Sequence, residues 1–116
     1  MNKLHELKIW QKSIELAKEV YEVISELPQD EKYGLESQMK RCAVSVPSNI
    51  AEGAGRNSKK EFFHFIGIAN GSLFELQTQL ILSYELKMLN EQRCNKVVEK
   101  VIELQKMNFS FQKRLV

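Results

Sequence analysis

Val44-Ser45-Val46-Pro47-Ser48-Asn49-Ile50-Ala51-Glu52-Gly53-Ala54-Gly55-Arg56 sets a proline and two glycines inside an otherwise strongly helical sequence, and its reading decides the helix count. A proline within a helix removes one hydrogen bond and crowds the carbonyl four residues back, here that of Ala43, at a cost of about 3 kcal/mol. Val46, β-branched and followed by proline, leans toward extended backbone. Both facts favour a break at Pro47. Against them, Leu35, Met39, Cys42, Val46 and Ile50 hold one apolar stripe at helical spacing across the proline, a phase that a loop would scramble. Val46 is also a poor N-cap, and residues 48–54 alone are too short to persist as a helix. The stretch therefore predicts one helix from about Tyr33 to Ala54, kinked at Pro47 and ended by Gly53 and Gly55.

Upstream, Leu7, Trp10, Ile14, Ala17, Tyr21 and Ile24 recur three and four residues apart and predict a first helix from about Glu6 to Glu26. Its opposite face reads Lys8, Lys12, Glu15, Glu19, Glu22, Glu26. Basic first and acidic last, this order opposes the helix dipole and sets like charges one turn apart. Either the face is simply solvated, or it meets complementary charge on another subunit. Leu27-Pro28-Gln29-Asp30-Glu31-Lys32 forms the first turn and Gly53 to Asn57 the second. Ser58 followed by Glu61 is a capping box that opens a third helix reaching about Leu86. Its core stripe is Phe62, Ile66, Ala69, Leu73, Leu76 and Leu80. Gly67 and Gly71, one turn apart, each cost about 1 kcal/mol in a helix interior and imply the close approach of a neighbouring backbone. After a turn around Asn90, Val97, Val101, Leu104, Phe111 and Leu115 predict a fourth helix ending near Leu115. Short turns make neighbouring helices antiparallel. The expected fold is all-α, an antiparallel up-down-up-down four-helix bundle occupying residues 1–116 as one domain.

The chain has 116 residues, 17 basic and 15 acidic, for a net charge of +2. That balance neither demands nor rejects nucleic acid, so the placement of charge matters more than its sum. Cys42 and Cys94 match no metal-ligand spacing and read as buried free thiols of a reducing compartment. No stretch approaches the roughly 18 apolar residues of a membrane span, and the N-terminus opens no signal-like apolar run. A cytoplasmic, soluble protein with no membrane contact is expected.

Beside the apolar stripe of the second helix runs a polar one, Gln38, Arg41, Ser45, Asn49 and Glu52, and the third helix carries Ser72, Glu75 and Gln79. Equal rise from a hairpin turning near Arg56 brings Arg41 opposite Ser72 and Glu75, and Glu52 near Lys59 and Lys60. An Arg41–Glu75 pair would fix that register. A general acid/base pair is less supported, because a carboxylate facing an arginine is held ionised. Glu61-Phe62-Phe63-His64 has the spacing of di-iron bundles but lacks the second copy and the further glutamates such a site needs. The glycines leading into Arg56, Lys59 and Lys60 could place a phosphate at a helix start, yet they follow no strand and lack the P-loop order. With no nucleophile–base pair or metal constellation, no enzyme, cofactor or metal is expected. Arg93, Lys96 and Lys100 share one face of the fourth helix, with Lys106, Lys113 and Arg114 beyond. They form either a solvated face or a contact with nucleic-acid phosphates. Phe63, Phe65, Ile68, Leu82 and Tyr84 lie outside the third helix's seam, more apolar surface than one small bundle covers, which points to self-association.

Tyr33-Gly34-Leu35, Gln38 to Arg41, Ser45-Val46-Pro47-Ser48-Asn49-Ile50-Ala51-Glu52-Gly53, and Ala69-Asn70-Gly71-Ser72-Leu73-Phe74-Glu75-Leu76 with Gln79-Leu80 resemble the four-helix-bundle family of 23S rRNA intervening sequence proteins, also called S23. The family is similar to the accessory variability protein of diversity-generating retroelements. The resemblance implies a four-helix bundle assembling as a homopentamer, and a link with RNA through the genes in which the family is found. Arg41, Asn49, Glu52, Ser72 and Glu75 then read as an architectural polar cluster. The leading expectation is a non-enzymatic homo-oligomer that binds structured RNA or another nucleic acid through Arg56, Lys59, Lys60, Arg93, Lys96 and Lys100. The alternative is a scaffold or adaptor that docks a protein partner without nucleic acid.

Overall fold

A computed structural model describes residues 3–116, and every regular element among them is helical. The four long helices are α1 (Lys8–Ile24), α2 (Ser37–Ala54), α3 (Lys59–Glu85) and α4 (Glu91–Lys113). Their starts follow from local chemistry. Ser58 Oγ accepts the Glu61 amide at 3.1 Å, and Asn90 Oδ1 accepts the Arg93 amide at 2.9 Å, each satisfying an otherwise orphaned donor of a first turn. Each helix packs on two others, α1 on α2 and α4, and α3 on α2 and α4. With short connections, this is the up-down-up-down four-helix bundle that the sequence predicts. Its long axis measures 43 Å, matched by the 27 residues of α3 at about 1.5 Å rise each. The core holds Val20, Ile24, Met39, Ile50, Ile66, Leu73, Leu76, Leu80 and Val101, all buried.

α2 continues through Pro47 to Ala54, as the unbroken stripe requires. Val46 and Ile50, on either side of the proline, are wholly buried and hold the helical phase there. The irregular backbone lies earlier. Gly34 leaves helical geometry at φ −102° and ψ −105°, inside a π-type turn over Lys32–Glu36. The α-helix proper therefore begins at Ser37 instead of Tyr33, and Tyr33 stands exposed.

The seam of α1 differs from the expected one. Ile9, Ser13, Leu16, Val20 and Val23 are buried, whereas Trp10, Ile14 and Ala17 are half-buried and Tyr21 is 42% exposed. Two adjacent apolar stripes lie about 100° apart on this helix, and periodicity alone does not choose between them. The rotation that buries the first stripe also sets Lys12, Glu19 and Glu26 against Glu103, Lys100 and Arg93 of α4. The charged face thus meets its complement within the same chain. Such exposed pairs are each worth about 0–1 kcal/mol, and their antiparallel spacing pins the register of α1 on α4.

α2 and α3 approach closely at Gly53. A Cβ there would lie 2.8 Å from Phe62 Cδ1, 2.9 Å from Phe65 Cβ and 3.3 Å from the Phe62 carbonyl. Gly67 and Gly71 serve no such approach within the chain: the nearest atom at Gly67 is Gln112 Nε2 at 3.5 Å, and the space beside Gly71 is open. A layer of buried amides joins α3 to α4 instead. Asn108 Nδ2 donates to Asn70 Oδ1 at 2.8 Å, Asn70 Nδ2 to the Gln105 carbonyl at 3.3 Å, and Gln105 Nε2 to Gln77 Oε1 at 2.8 Å.

Candidate functional site

Antiparallel packing brings the start of α1, the α2–α3 turn and the last turns of α4 to one end of the bundle. That end gathers nine basic residues, Lys3, Lys8, Lys12, Arg56, Lys59, Lys60, Lys106, Lys113 and Arg114, against four carboxylates, Glu6, Glu52, Glu61 and Glu103. The opposite end is acidic on balance, with Glu22, Glu26, Asp30, Glu31, Glu36, Glu85 and Glu91 at or beside the α1–α2 and α3–α4 connections against Lys32, Lys40, Lys87, Arg93 and Lys96. A nearly neutral chain is therefore folded into a polar rod.

Ion pairing sharpens the contrast. Arg56 donates through Nη2 and Nε to Glu52 Oε2 at 3.0 and 3.2 Å and through Nη1 to Glu61 Oε1 at 3.2 Å, with its guanidinium 5.0 Å from the Phe65 ring centre. Glu103 pairs with Lys12 at 3.8 Å. Three of the four carboxylates are thereby engaged. Lys3, Lys8, Lys59, Lys60, Lys106, Lys113 and Arg114 enter no ion pair among the described residues, which leaves their charge available. Clustered like charge of this kind attracts anions over about a Debye length, near 10 Å at 0.1 M salt.

The six basic residues singled out in the sequence therefore separate. Arg56, Lys59 and Lys60 sit at the basic end, but Arg56 ties the α2–α3 turn together. Arg93, Lys96 and Lys100 lie toward the acidic end of α4, where Arg93 pairs with Glu26 and Lys100 with Glu19, while Lys96 enters no ion pair among the described residues. Lys8, Lys106, Lys113 and Arg114 belong with Lys59 and Lys60. Only the antiparallel placement of α1 and α4 reveals this, because these residues lie far apart in the chain.

The polar stripe forms two clusters at different heights. Ser45 and Ser72 hydroxyls meet at 2.8 Å, and Asn49 Nδ2 donates to the Ser45 carbonyl and hydroxyl, both at 2.9 Å. One turn away, the Cys42 thiol donates to Glu75 Oε2 at 2.9 Å. The register is that expected, but Cys42 takes the place foreseen for Arg41, which is exposed and enters no ion pair among the described residues. Cys42 is buried and lies closer to α3, whereas an exposed arginine gains little from pairing in water. Glu52 likewise pairs with Arg56 one turn on, not with Lys59 or Lys60.

Burial, reinforced by the hydrogen bond to Glu75, pushes the Cys42 thiol from an ordinary 9.0 up to about 11. Burial also raises Cys94. Both thiols are therefore protonated and unreactive near neutral pH. A raised thiol value means that the folded state favours the neutral form. Its stabilising effect is complete below pH 9.0 and is lost as pH rises toward about 11. At about 1.4 kcal/mol per unit, the loss approaches 2–3 kcal/mol. Denaturant melts between pH 8 and 11 are expected to show a steeper fall for the native chain than for Cys42→Ala; equal slopes would contradict the assignment.

Among the described residues no group of three or more His, Cys, Asp or Glu side chains is placed to hold a metal ion, and no helix is long and apolar enough to cross a membrane. A family model described as 23S rRNA-intervening sequence protein matches residues 5–110. A crystal structure of a protein with unknown function from the S23 ribosomal protein family, from Bacteroides thetaiotaomicron VPI-5482, has the same fold. Its TM-score is 0.81 at 20% sequence identity, covering 90% of this chain and 98% of that one. No curated protein matches the chain.

Proposed function

The chain belongs to the 23S rRNA-intervening sequence protein family, and from that membership and the basic end of its bundle we propose that it is a non-enzymatic, homo-oligomeric protein that binds structured RNA through that end. One observation carries the reading: seven cations at this end enter no ion pair among the described residues, while three of its four carboxylates are already engaged. Lys59 and Lys60 remain in the proposed surface, joined by Lys8, Lys106, Lys113 and Arg114. Arg56 shapes the turn. Arg93 and Lys100 are neutralised by Glu26 and Glu19, and Lys96 stands apart from the cluster.

Self-association is supported by exposed apolar side chains, with Phe63 at 39%, Phe74 at 51% and Phe109 at 51% exposed. A homopentamer is the assembly that the family resemblance implies, and light scattering on the purified protein is expected to return that mass. The same surfaces favour the second reading, a scaffold docking a protein partner.

Fluorescence anisotropy with a labelled structured RNA across a salt series tests the leading reading. Affinity is expected to fall steeply with salt. In Lys59→Ala/Lys60→Ala the slope of log affinity against log salt is expected to shrink by about 1–2, since each lost phosphate contact removes about 0.7–0.9. Arg93→Ala/Lys100→Ala is expected to leave RNA binding unchanged. No binding even at low salt would turn the search toward a protein partner.

A further inference from the structure

An open groove of about 560 Å³ lies between the start of α1 and the last turns of α4, at the basic end, and its size falls within that of small-ligand sites. Leu7, Met107 and Phe111 floor it, each half-buried against the core. Phe111 is backed by Phe62, with ring centres 5.0 Å apart, and the Arg114 guanidinium lies 5.3 Å over its ring. Lys8, Lys106 and Arg114 stand at the rim without ion pairs among the described residues. Of the carboxylates there, Glu103 is held by Lys12, which leaves Glu6. An apolar, aromatic-floored slot with cations at its mouth suits no duplex, whose bases are stacked away from the surface. It suits a base that has left the stack and carries its phosphates with it.

We propose that this groove receives an unpaired nucleotide of the bound RNA, its base against Met107 and Phe111 beside the Arg114 guanidinium, and its flanking phosphates at Lys8 and Lys106. The inference rests on the RNA-binding reading above and specifies single-stranded or looped RNA as the ligand class.

Ser110 lines the groove and is exposed, so Ser110→Trp fills the slot without entering the core. Anisotropy at one salt concentration would compare a labelled single-stranded RNA of about 12 nucleotides with a duplex of the same length. The native protein is expected to bind the single strand more tightly. Ser110→Trp is expected to weaken single-strand binding about tenfold, a typical loss for one stacked base, and to leave duplex binding and the thermal melt unchanged. Lys106→Ala, equally exposed, is expected to weaken single-strand binding severalfold and keeps the test open should the tryptophan variant fold poorly. Equal binding of both RNAs with no response to Ser110→Trp would overturn the groove while leaving the basic-end reading standing. A change in oligomer mass on Ser110→Trp with RNA binding intact would assign the groove to a second copy of the chain and overturn it too. If neither RNA binds at low salt, the underlying reading itself fails.

Discussion

Gly53→Ala is expected to lower the unfolding free energy by about 2 kcal/mol, within the usual range for overpacking a closed interface. The added methyl would sit 2.8 Å from Phe62 Cδ1 and 2.9 Å from Phe65 Cβ. A ring carbon can swing away, but a Cβ moves only with its backbone, so α2 and α3 must separate. Alanine gains about 1 kcal/mol as a helix former, and the steric cost exceeds that gain. Gly71→Ala is the matched control. It adds the same methyl to the interior of α3 where no atom lies within 4 Å, and is expected to raise stability by about 1 kcal/mol. Thermal melts should move in opposite directions, roughly 6–10 °C down for Gly53→Ala and a few degrees up for Gly71→Ala. A gain at Gly53 would contradict the close approach, whereas a loss at Gly71 would place a second copy of the chain against α3 there.

Asn70→Leu is expected to cost about 2–4 kcal/mol, since it strands a buried amide that keeps one hydrogen bond in the native protein. Asn108 is wholly buried; its Nδ2 donates to Asn70 Oδ1, and its own Oδ1 has no partner among the described residues. Leucine has nearly the same branched shape as asparagine but offers no acceptor, so in the single variant both polar atoms of Asn108 are buried unpaired. Asn70→Leu/Asn108→Leu removes the stranded group and is expected to recover most of the loss, with a coupling energy of about 1–3 kcal/mol in the double-mutant cycle. Additive single effects would show that the two amides do not act as a unit.

The helices were legible because 3.6-residue periodicity, the Ser58 cap, the turn at Asn90 and the Pro28 and Gly55 punctuation are local features, each recorded within a few residues. Helix 2 could be followed across Pro47 for the same reason, since its apolar stripe never loses phase. The rotation of α1 was not legible. Both Ile9-Leu16-Val20 and Trp10-Ala17-Tyr21 satisfy the period, and the choice between them depends on what α2 and α4 present. The register of α2 on α3 followed from equal rise away from their turn, which puts Ser45 beside Ser72, yet the partner of Glu75 turned on which neighbouring residue, Arg41 or Cys42, faces inward. The Asn70–Asn108 layer left no trace in the sequence because two asparagines thirty-eight positions apart carry no periodic signal.

The sequence by itself determined that the chain makes four amphipathic helices, where they turn and which family it belongs to, because backbone propensity, capping and short-range hydrophobic spacing act between near neighbours in the chain. Only the tertiary structure decided which cations keep their charge available. Arg93 is neutralised by Glu26, just past the end of α1, and Lys100 by Glu19 of α1, whereas Lys8, Lys59, Lys60, Lys106 and Arg114 are collected at one end. Coulomb interaction depends on distance through space, and antiparallel packing sets that distance between residues whose separation along the chain gives no measure of it.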